Sequence, residues 1–326
     1  MAWLAGIDEA GYGPNLGPLV MTVVACQVPG EAADADLWRL LRSGVRRHGV
    51  RDDGRPVVAD SKLVYSATHG LSQLEKTVLA ALGIDPPFAD DVEPLYPLEA
   101  LLAQVSPEAF DDLAGEAWFS GKSLLPMECG KSTLNMARSL IRRACRRAGV
   151  TAEFYCRSVI VCTPRFNALT DTRDSKGAVL SHGLVRLVRG CIQEIAAEPM
   201  TFVIDKHGGR NHYAEMLSEA FPGARVRSCE EAMERSAYEV DGADRPVRVN
   251  MMPRADVGHF PVALASMVSK YLRESLMREF NAFWGRHVPG LRPTAGYPGD
   301  AARFYGEIRP AMTLLRMTER QVWRRK

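Results

Sequence analysis

The chain of 326 residues is 46% hydrophobic and 25% charged, with a formal net charge of +2. That composition suits one large globular domain or two, and no apolar run approaches the ~20 residues of a membrane span. So small a net charge neither demands nor excludes nucleic acid, and local clustering has to decide.

The seven cysteines form no C-x-x-C pair, and their odd number argues against a disulfide framework. A reducing, cytoplasmic setting is expected. The first residues lack a basic stretch followed by an apolar one, so neither a secretory signal nor a membrane partner is expected.

In chain order, Trp3–Ile7 is short and apolar, and Leu19–Val28 is rich in β-branched residues. A Gly/Pro segment separates them, so they read as neighbouring antiparallel strands. Asp36–Leu41 reads as helical. Leu71, Leu74, Val78, Leu79 and Leu82 fall at helical spacing and predict one buried stripe. From about Asp85 the texture changes: Pro86, Pro87, Pro94 and Pro97 punctuate an acidic stretch. It closes on a helix near Ser132–Ala148, with Leu134, Ala137, Ile141, Ala144 and Ala148 on one face. Arg138, Arg142, Arg143, Arg146 and Arg147 are expected on the outer faces. Phe154–Val161 is a strand, Gly177–Ala197 a long helix, and Thr201–Ile204 a buried strand ending at Asp205. A helix near Asn211–Ala220 and strands near Ala224–Ser228 and Pro246–Met251 follow. Phe260–Trp284 is a long helix, and Ala311–Lys326 a helical, basic tail. Strands alternating with helices make the class α/β, and the opening hairpin makes the sheet mixed.

Asp8 and Glu9 stand side by side at the end of the first strand. On a regular strand they would face opposite ways, so both serve one site only if the strand ends there. Two close carboxylates repel, and one takes up a proton unless a cation lies between them. Oxygen donors of this kind suit Mg²⁺ or Mn²⁺. Asp205 ends a buried strand, where ligands bind in open α/β sheets. Lys206, His207, Arg210 and His212 follow it and suit phosphate. Ser266, Lys270 and Glu274 share one face of the long helix. Asp60-Ser61-Lys62 opens a helix-like region where Lys62 and the helix start suit a phosphate, and a second Asp-Ser-Lys stands at Asp174–Lys176. Gly-Lys-Ser occurs at Gly121–Ser123 and Gly130–Ser132, but Glu116 and Leu125 stand where a phosphate loop needs glycine.

These pieces, in this order, resemble the type 2 ribonuclease H family. Gly6–Val20 (GIDEAGYGPNLGPLV) is similar to its DEAGRG segment, Asp60–Lys62 to its DSK, and Asp205 to its third acid. Arg165–Leu169 is similar to its asparagine-containing helix start, Ala265–Lys270 to its ASILAK helix, and Gly296–Pro298 to its GYPT segment. The resemblance implies a ribonuclease H-like fold, a mixed central sheet flanked by helices. It implies core segments 1–84 and 150–308, with 85–149 inserted and a basic tail at 309–326. It implies four carboxylates, Asp8, Glu9, Asp205 and Glu274, holding two divalent ions. Residues matched to substrate-binding positions are Gly11, Tyr12, Gly13, Ser61, Lys62, Lys270 and Tyr297.

The activity so implied is hydrolysis of RNA paired with DNA, or of ribonucleotides embedded in duplex DNA, leaving 3′-hydroxyl and 5′-phosphate ends. Nucleic acid is the implied partner, and a monomer is expected. The alternatives are a nuclease of the same fold acting on duplex RNA or structured DNA, and a non-catalytic nucleic-acid-binding protein. The departures bear on substrate choice: Tyr12 stands for the family's arginine, Glu274 for its aspartate, Gly299 for its threonine, and Ala302 where a histidine is expected. The arginines of the inserted helix are a candidate extra site for phosphate.

Overall fold

The computed structural model describes residues 1–32, 35–65, 70–83 and 96–325. Pro86, Pro87 and Pro94, where the expected insertion opens, and Lys326 lie outside the described residues. Strands β1 (Ala2–Ala10) and β2 (Leu19–Val28) pair antiparallel from Ala2↔Val28 to Ala10↔Val20. Helices α1 (Leu37–Leu40) and α2 (Ser61–Val64) are each one turn, capped by the carboxylates of Asp36 and Asp60. Such a cap satisfies a backbone N–H that the first turn leaves unpaired. Helix α3 (Ser72–Ala81) buries the predicted leucine and valine stripe.

Strands β3 (Tyr96–Pro97) and β4 (Leu124–Leu125) pair antiparallel around α4 (Leu98–Val105) and α5 (Phe110–Leu113). Helix α6 (Lys131–Ala148) carries the arginine-rich stretch. Arg143, Arg146 and Arg147 are exposed as expected, but Arg138 is buried at 5% exposure. It lies four residues after Leu134 and three before Ile141, inside the stripe that faces the core.

Strand β5 (Tyr155–Val161), helices α7 (Thr163–Arg173) and α8 (Gly177–Glu194), strand β6 (Met200–Asp205) and helix α9 (Ala214–Ala220) follow. Then β7 (Arg225–Glu231), β8 (Ser236–Asp241) and β9 (Val247–Met252) form an antiparallel meander. Strand β8 is absent from the sequence reading. It is short and carries Glu239 and Asp241, and pairing on both edges makes it a strand. Helices α10 (Ala255–Gly258) and α11 (Phe260–His287) lead to α12 (Pro298–Leu314) and α13 (Glu319–Val322). The expected single helix over 311–326 is therefore two pieces. Arg316, at φ +55°, breaks between them, and α12 starts at Pro298, a residue suited to a first helical turn.

Among the described residues the main sheet has seven strands in the order β5-β2-β1-β6-β9-β8-β7, with β1, β6 and β9 parallel. This is the mixed sheet flanked by helices that the sequence leads one to expect. Period-two alternation divides the core. Leu4, Val20 and Val24 face α11, where Leu264 and Val268 meet them, and Leu98, Leu101, Leu134 and Ile141 join the same core. Ala5, Ile7, Met21 and Val23 face the other way, toward Leu180, Leu184 and Leu187 of α8. Gly6 lets α11 approach: a Cβ there would sit 2.2 Å from the Val262 nitrogen. Truncating a residue such as Leu264 to alanine would cost about 3 kcal/mol.

Candidate active site

The cleft arises where two parallel strands part. Pairing between β1 and β6 stops at Ile7↔Ile204, while β1 continues to Ala10 against β2. The expectation that the strand ends at the acids is corrected: only its β6 edge is released. Asp8 and Glu9 therefore share one cleft of about 370 Å³ without a break in the strand. Asp205, at the carboxyl end of β6, lines the same cleft, as do Asp60, Lys62, Arg254 and Asp256.

Asp8 is 9% exposed. Its carboxylate accepts from the Glu9 N–H at 2.8 Å and from the Ser266 hydroxyl. Ser266 Oγ also lies 3.1 Å from Ser61 Oγ, which ties α2 to α11 behind the acid. Ser269 Oγ lies 3.1 Å from the Asp8 carbonyl and 2.8 Å from Thr22 Oγ1, fixing the strand beneath it. Burial, then Glu9 and Asp205, push the Asp8 pKa well above the carboxylate range. Burial and Asp205 push Glu9 up to about 7, with Lys62 opposing. Asp205 is also raised, by burial and more weakly by Asp256, although it accepts the Ala255 N–H at 2.8 Å. Burial and Asp60 raise Asp256. The acids are linked: each charge discourages the next.

Glu274 is not among the described residues lining this cleft. Its carboxylate accepts from the Tyr65 hydroxyl at 2.9 Å and from Lys270 Nζ at 2.6 Å, and Arg273 Nη1 lies at 3.5 Å. These partners hold it one turn beyond Lys270, which lines the cleft. Ser266, Lys270 and Glu274 share one face of α11 as expected, but only the first two line the cleft. Glu274, one further turn along α11, is held by its own partners instead. The acid that sequence reasoning passed over is Asp256. Its signal is the one that marked Asp205: an acid just beyond the carboxyl end of a parallel strand, here three residues past the Pro253 that follows β9.

Gly11, Tyr12 and Gly13 line the cleft wall beside Glu9, and Tyr297 stands 47% exposed at the rim. Gly11 has φ +92°, and a Cβ there would meet the Arg273 side chain at 2.4 Å, so only glycine fits. Gly13 packs near the Tyr297 ring. Tyr12 is half-buried, and Lys176 Nζ lies 4.7 Å from its ring centre. That lysine belongs to the second Asp-Ser-Lys, so the repeated tripeptide reaches the same loop from another side. Ser61 is buried at 5% exposure, whereas Lys62 is exposed and lies close enough to lower the pKa values of Glu9, Asp205 and Asp256. Of the cations after Asp205, Lys206 is held by Asn211 Oδ1 at 2.9 Å and Arg210 by the His212 carbonyl. None of Lys206, His207, Arg210 and His212 lines this cleft.

Among the described residues, no three His, Cys, Asp or Glu side chains stand arranged to hold a metal ion. The donor set nevertheless fits a hard divalent cation. It is all oxygen, shares one cleft, and carries raised pKa values that a neighbouring cation would reverse.

The first Gly-Lys-Ser holds an anion of the protein's own. The N–H groups of Ser120, Gly121 and Ser123, with the Ser123 hydroxyl, all donate to the Glu279 carboxylate.

The chain is similar in structure to the PCNA:RNase HII complex from Archaeoglobus fulgidus, at 15% identity over 98% of this chain and 92% of that chain, with a TM-score of 0.46. It is similar to the ribonuclease H2 from Pyrococcus horikoshii OT3, at 14% identity over 98% of this chain and 92% of that chain, TM-score 0.43. It is also similar to Bst-RNase HIII in complex with Mn²⁺, at 16% identity over 94% of this chain and 62% of that chain, TM-score 0.42. No family model and no curated protein sequence matches the chain. Among the described residues no helix is long and apolar enough to cross a membrane.

Proposed function

We propose that this chain is a divalent-metal-dependent endoribonuclease that hydrolyses RNA in RNA:DNA hybrids or ribonucleotides embedded in duplex DNA. The observation that carries the reading is the convergence of Asp8, Glu9, Asp205 and Asp256 on one cleft, walled by the Gly11–Gly13 loop and by Lys62. The ordered resemblance of the sequence to type 2 ribonucleases H supports it.

Asp8, Glu9, Asp205 and Asp256 would hold two ions, Mg²⁺ or Mn²⁺. Such ions, when bound, activate water and stabilise the departing 3′ oxygen. The chain supplies the rest. Asp8 and Glu9 are held by a strand paired along its β2 edge, so their geometry is set before substrate arrives. Lys62 and Arg254 border the cleft where phosphates must lie, and their charge offsets the repulsion between acids and substrate. The Gly11–Gly13 backbone comes close enough to the cleft to read a 2′-hydroxyl, the group that separates RNA from DNA. Tyr297 offers an aromatic face to a sugar or base without regard to sequence. Glu274, in this reading, keeps Lys270 and Tyr65 in place rather than holding an ion.

Tyr12 favours one further reading, a shifted substrate. Its ring lies against Lys176, so it does not supply the phosphate contact of an arginine at this position. The test takes four substrates in Mg²⁺ or Mn²⁺: a long hybrid, DNA with one ribonucleotide, duplex RNA and plain DNA. Cleavage of one of the first two is expected, with loss in EDTA and in Asp8→Asn or Asp205→Asn. Cleavage that survives both substitutions would sink the proposal. Cleavage confined to duplex RNA would move it to the shifted substrate.

A further inference from the structure

The loop that walls the cleft is supported from beneath by a residue far away in sequence. Arg324 is 1% exposed, and its guanidinium donates to three backbone carbonyls of one loop. Nη1 reaches Gly11 O at 2.6 Å and Pro14 O at 3.5 Å, and Nη2 donates to Gly17 O. The Arg324 N–H adds a fourth bond, to Asn15 O at 2.9 Å. Phe166 of α7 lies beneath the guanidinium plane, 4.7 Å from ring centre to Cζ. Among the described residues no carboxylate pairs with Arg324. Its hydrogen-bond partners are the loop carbonyls.

The segment that carries Arg324 is itself clasped. The Asn167 carboxamide donates to the carbonyls of Arg320 and Trp323, at 2.9 and 3.0 Å, and accepts from the Arg325 N–H at 2.7 Å. Asp171, one turn further along α7, pairs with Arg320 and with Arg325. The chain of interactions therefore runs from α7 through residues 320–325 to the loop.

A planar fork suits this work. Several N–H groups in one plane can bridge carbonyls from separate points of a turn, which a lysine ammonium cannot do in fixed geometry. The loop's carbonyls are drawn inward to the fork, and Tyr12 and Gly13 are left on the cleft side.

We propose that Arg324 is a positioning residue for substrate: it fixes the Gly11–Gly17 loop, and with it the affinity for nucleic acid, without touching the reacting atoms. Asp8 and Glu9 are held by the sheet and so do not depend on it. The substrate part of this inference rests on the function proposed above, whereas the clamp on the loop does not.

The test compares Arg324→Lys, Arg324→Leu and Asn167→Ser with the wild-type chain by amide hydrogen exchange and steady-state cleavage of a hybrid. Faster exchange is expected at residues 11–17 in all three, joined in Asn167→Ser by residues 320–325 that Asn167 holds. KM should rise roughly 10- to 100-fold in Arg324→Leu, the worth of hydrogen bonds to a charged group, with kcat held within about threefold. Methylguanidine added to Arg324→Leu should lower KM again, which a merely structural loss would not allow. If Arg324→Leu does not fold, Arg324→Lys and Asn167→Ser carry the same comparison. Unchanged exchange in the loop, exchange spread over the sheet, or a fall in kcat at constant KM would overturn the proposal. Faster loop exchange in a protein that cleaves no hybrid would uphold the clamp and remove the substrate reading.

Discussion

Two sets of carboxylates beside α11 are treated differently. In the cleft, Asp8, Glu9 and Asp205 crowd together, and each hydrogen bond they accept falls short of offsetting burial and repulsion. Glu75 of α3 and Glu279 of α11 are buried more deeply still, at 0% and 5% exposure. Glu75 accepts from the N–H groups of Met127, Glu128 and Cys129, all at 2.7 Å, and from the Tyr271 hydroxyl at 2.8 Å. Glu279 accepts from Ser120, Gly121 and Ser123. Burial works to raise the Glu279 pKa, but these bonds outweigh it and hold it low. The more deeply buried pair is the one held low or ringed by donors, so the supply of donors, not depth, separates the two sets. A carboxylate ringed by N–H groups ties segments together. Acids left short of donors, and close to each other, await a cation.

The contrast can be broken most sharply by neutralising one acid of each kind. Asp8→Asn or Asp205→Asn should cut kcat by at least about a thousandfold. The same change should raise the unfolding free energy of the metal-free protein by about 1 kcal/mol, because repulsion is relieved. Glu279→Ala should do the reverse, costing about 3 kcal/mol in a urea melt by leaving buried donors unpaired, with little change in kcat. If Asp8→Asn destabilises the metal-free chain, the repulsion assigned to the cleft acids is wrong.

The fourth acid gives the next largest effect. Asp256→Asn should lower kcat by roughly a hundredfold, whereas Glu274→Gln should stay within about tenfold. The opposite order, read from single-turnover rates, would return the fourth position to Glu274.

The two regions also differ in the sign of their pH dependence. Glu9 sits near 7 in the folded chain against 4.5 in its ordinary state. The folded metal-free protein then binds the extra proton between those values. The stability this contributes is complete below about 4.5 and is lost as pH rises toward 7. Asp8, raised in the same direction, adds to it. Glu279, held low, contributes stability above 4.5 that is lost as pH falls. Urea midpoints in EDTA should therefore decline from pH 4.5 to pH 7, and Mg²⁺ should flatten the decline. A rise over that window would contradict the raised acids. The smallest effect is reserved for α6: charge reversal at Arg143 and Arg146 should make hybrid binding less sensitive to salt, by about one unit of slope for each phosphate no longer neutralised.

Much of the scaffold could be read from residues alone, because local rules govern it. β-branched runs gave β2 and β6, helical spacing gave α3 and α11, and strand-end acids pointed to Asp8, Glu9 and Asp205. These signals are written within a dozen residues of chain. Which acid completes the cleft was not so written. Glu274 shares a helical face with Lys270, which bonds one of its oxygens, and the other is taken by Tyr65, 209 residues before it on the chain. Asp256 enters because β9 lies parallel to β6, a pairing no local pattern announces. Arg138 and Arg324 read as surface charge, and both are buried, one inside the stripe of α6 and the other under the Gly11–Gly17 loop. Periodicity determines which face of an element is apolar. Only the assembled chain decides which distant carbonyls and carboxylates arrive opposite that face, because hydrogen bonds and charge act through space rather than along the sequence.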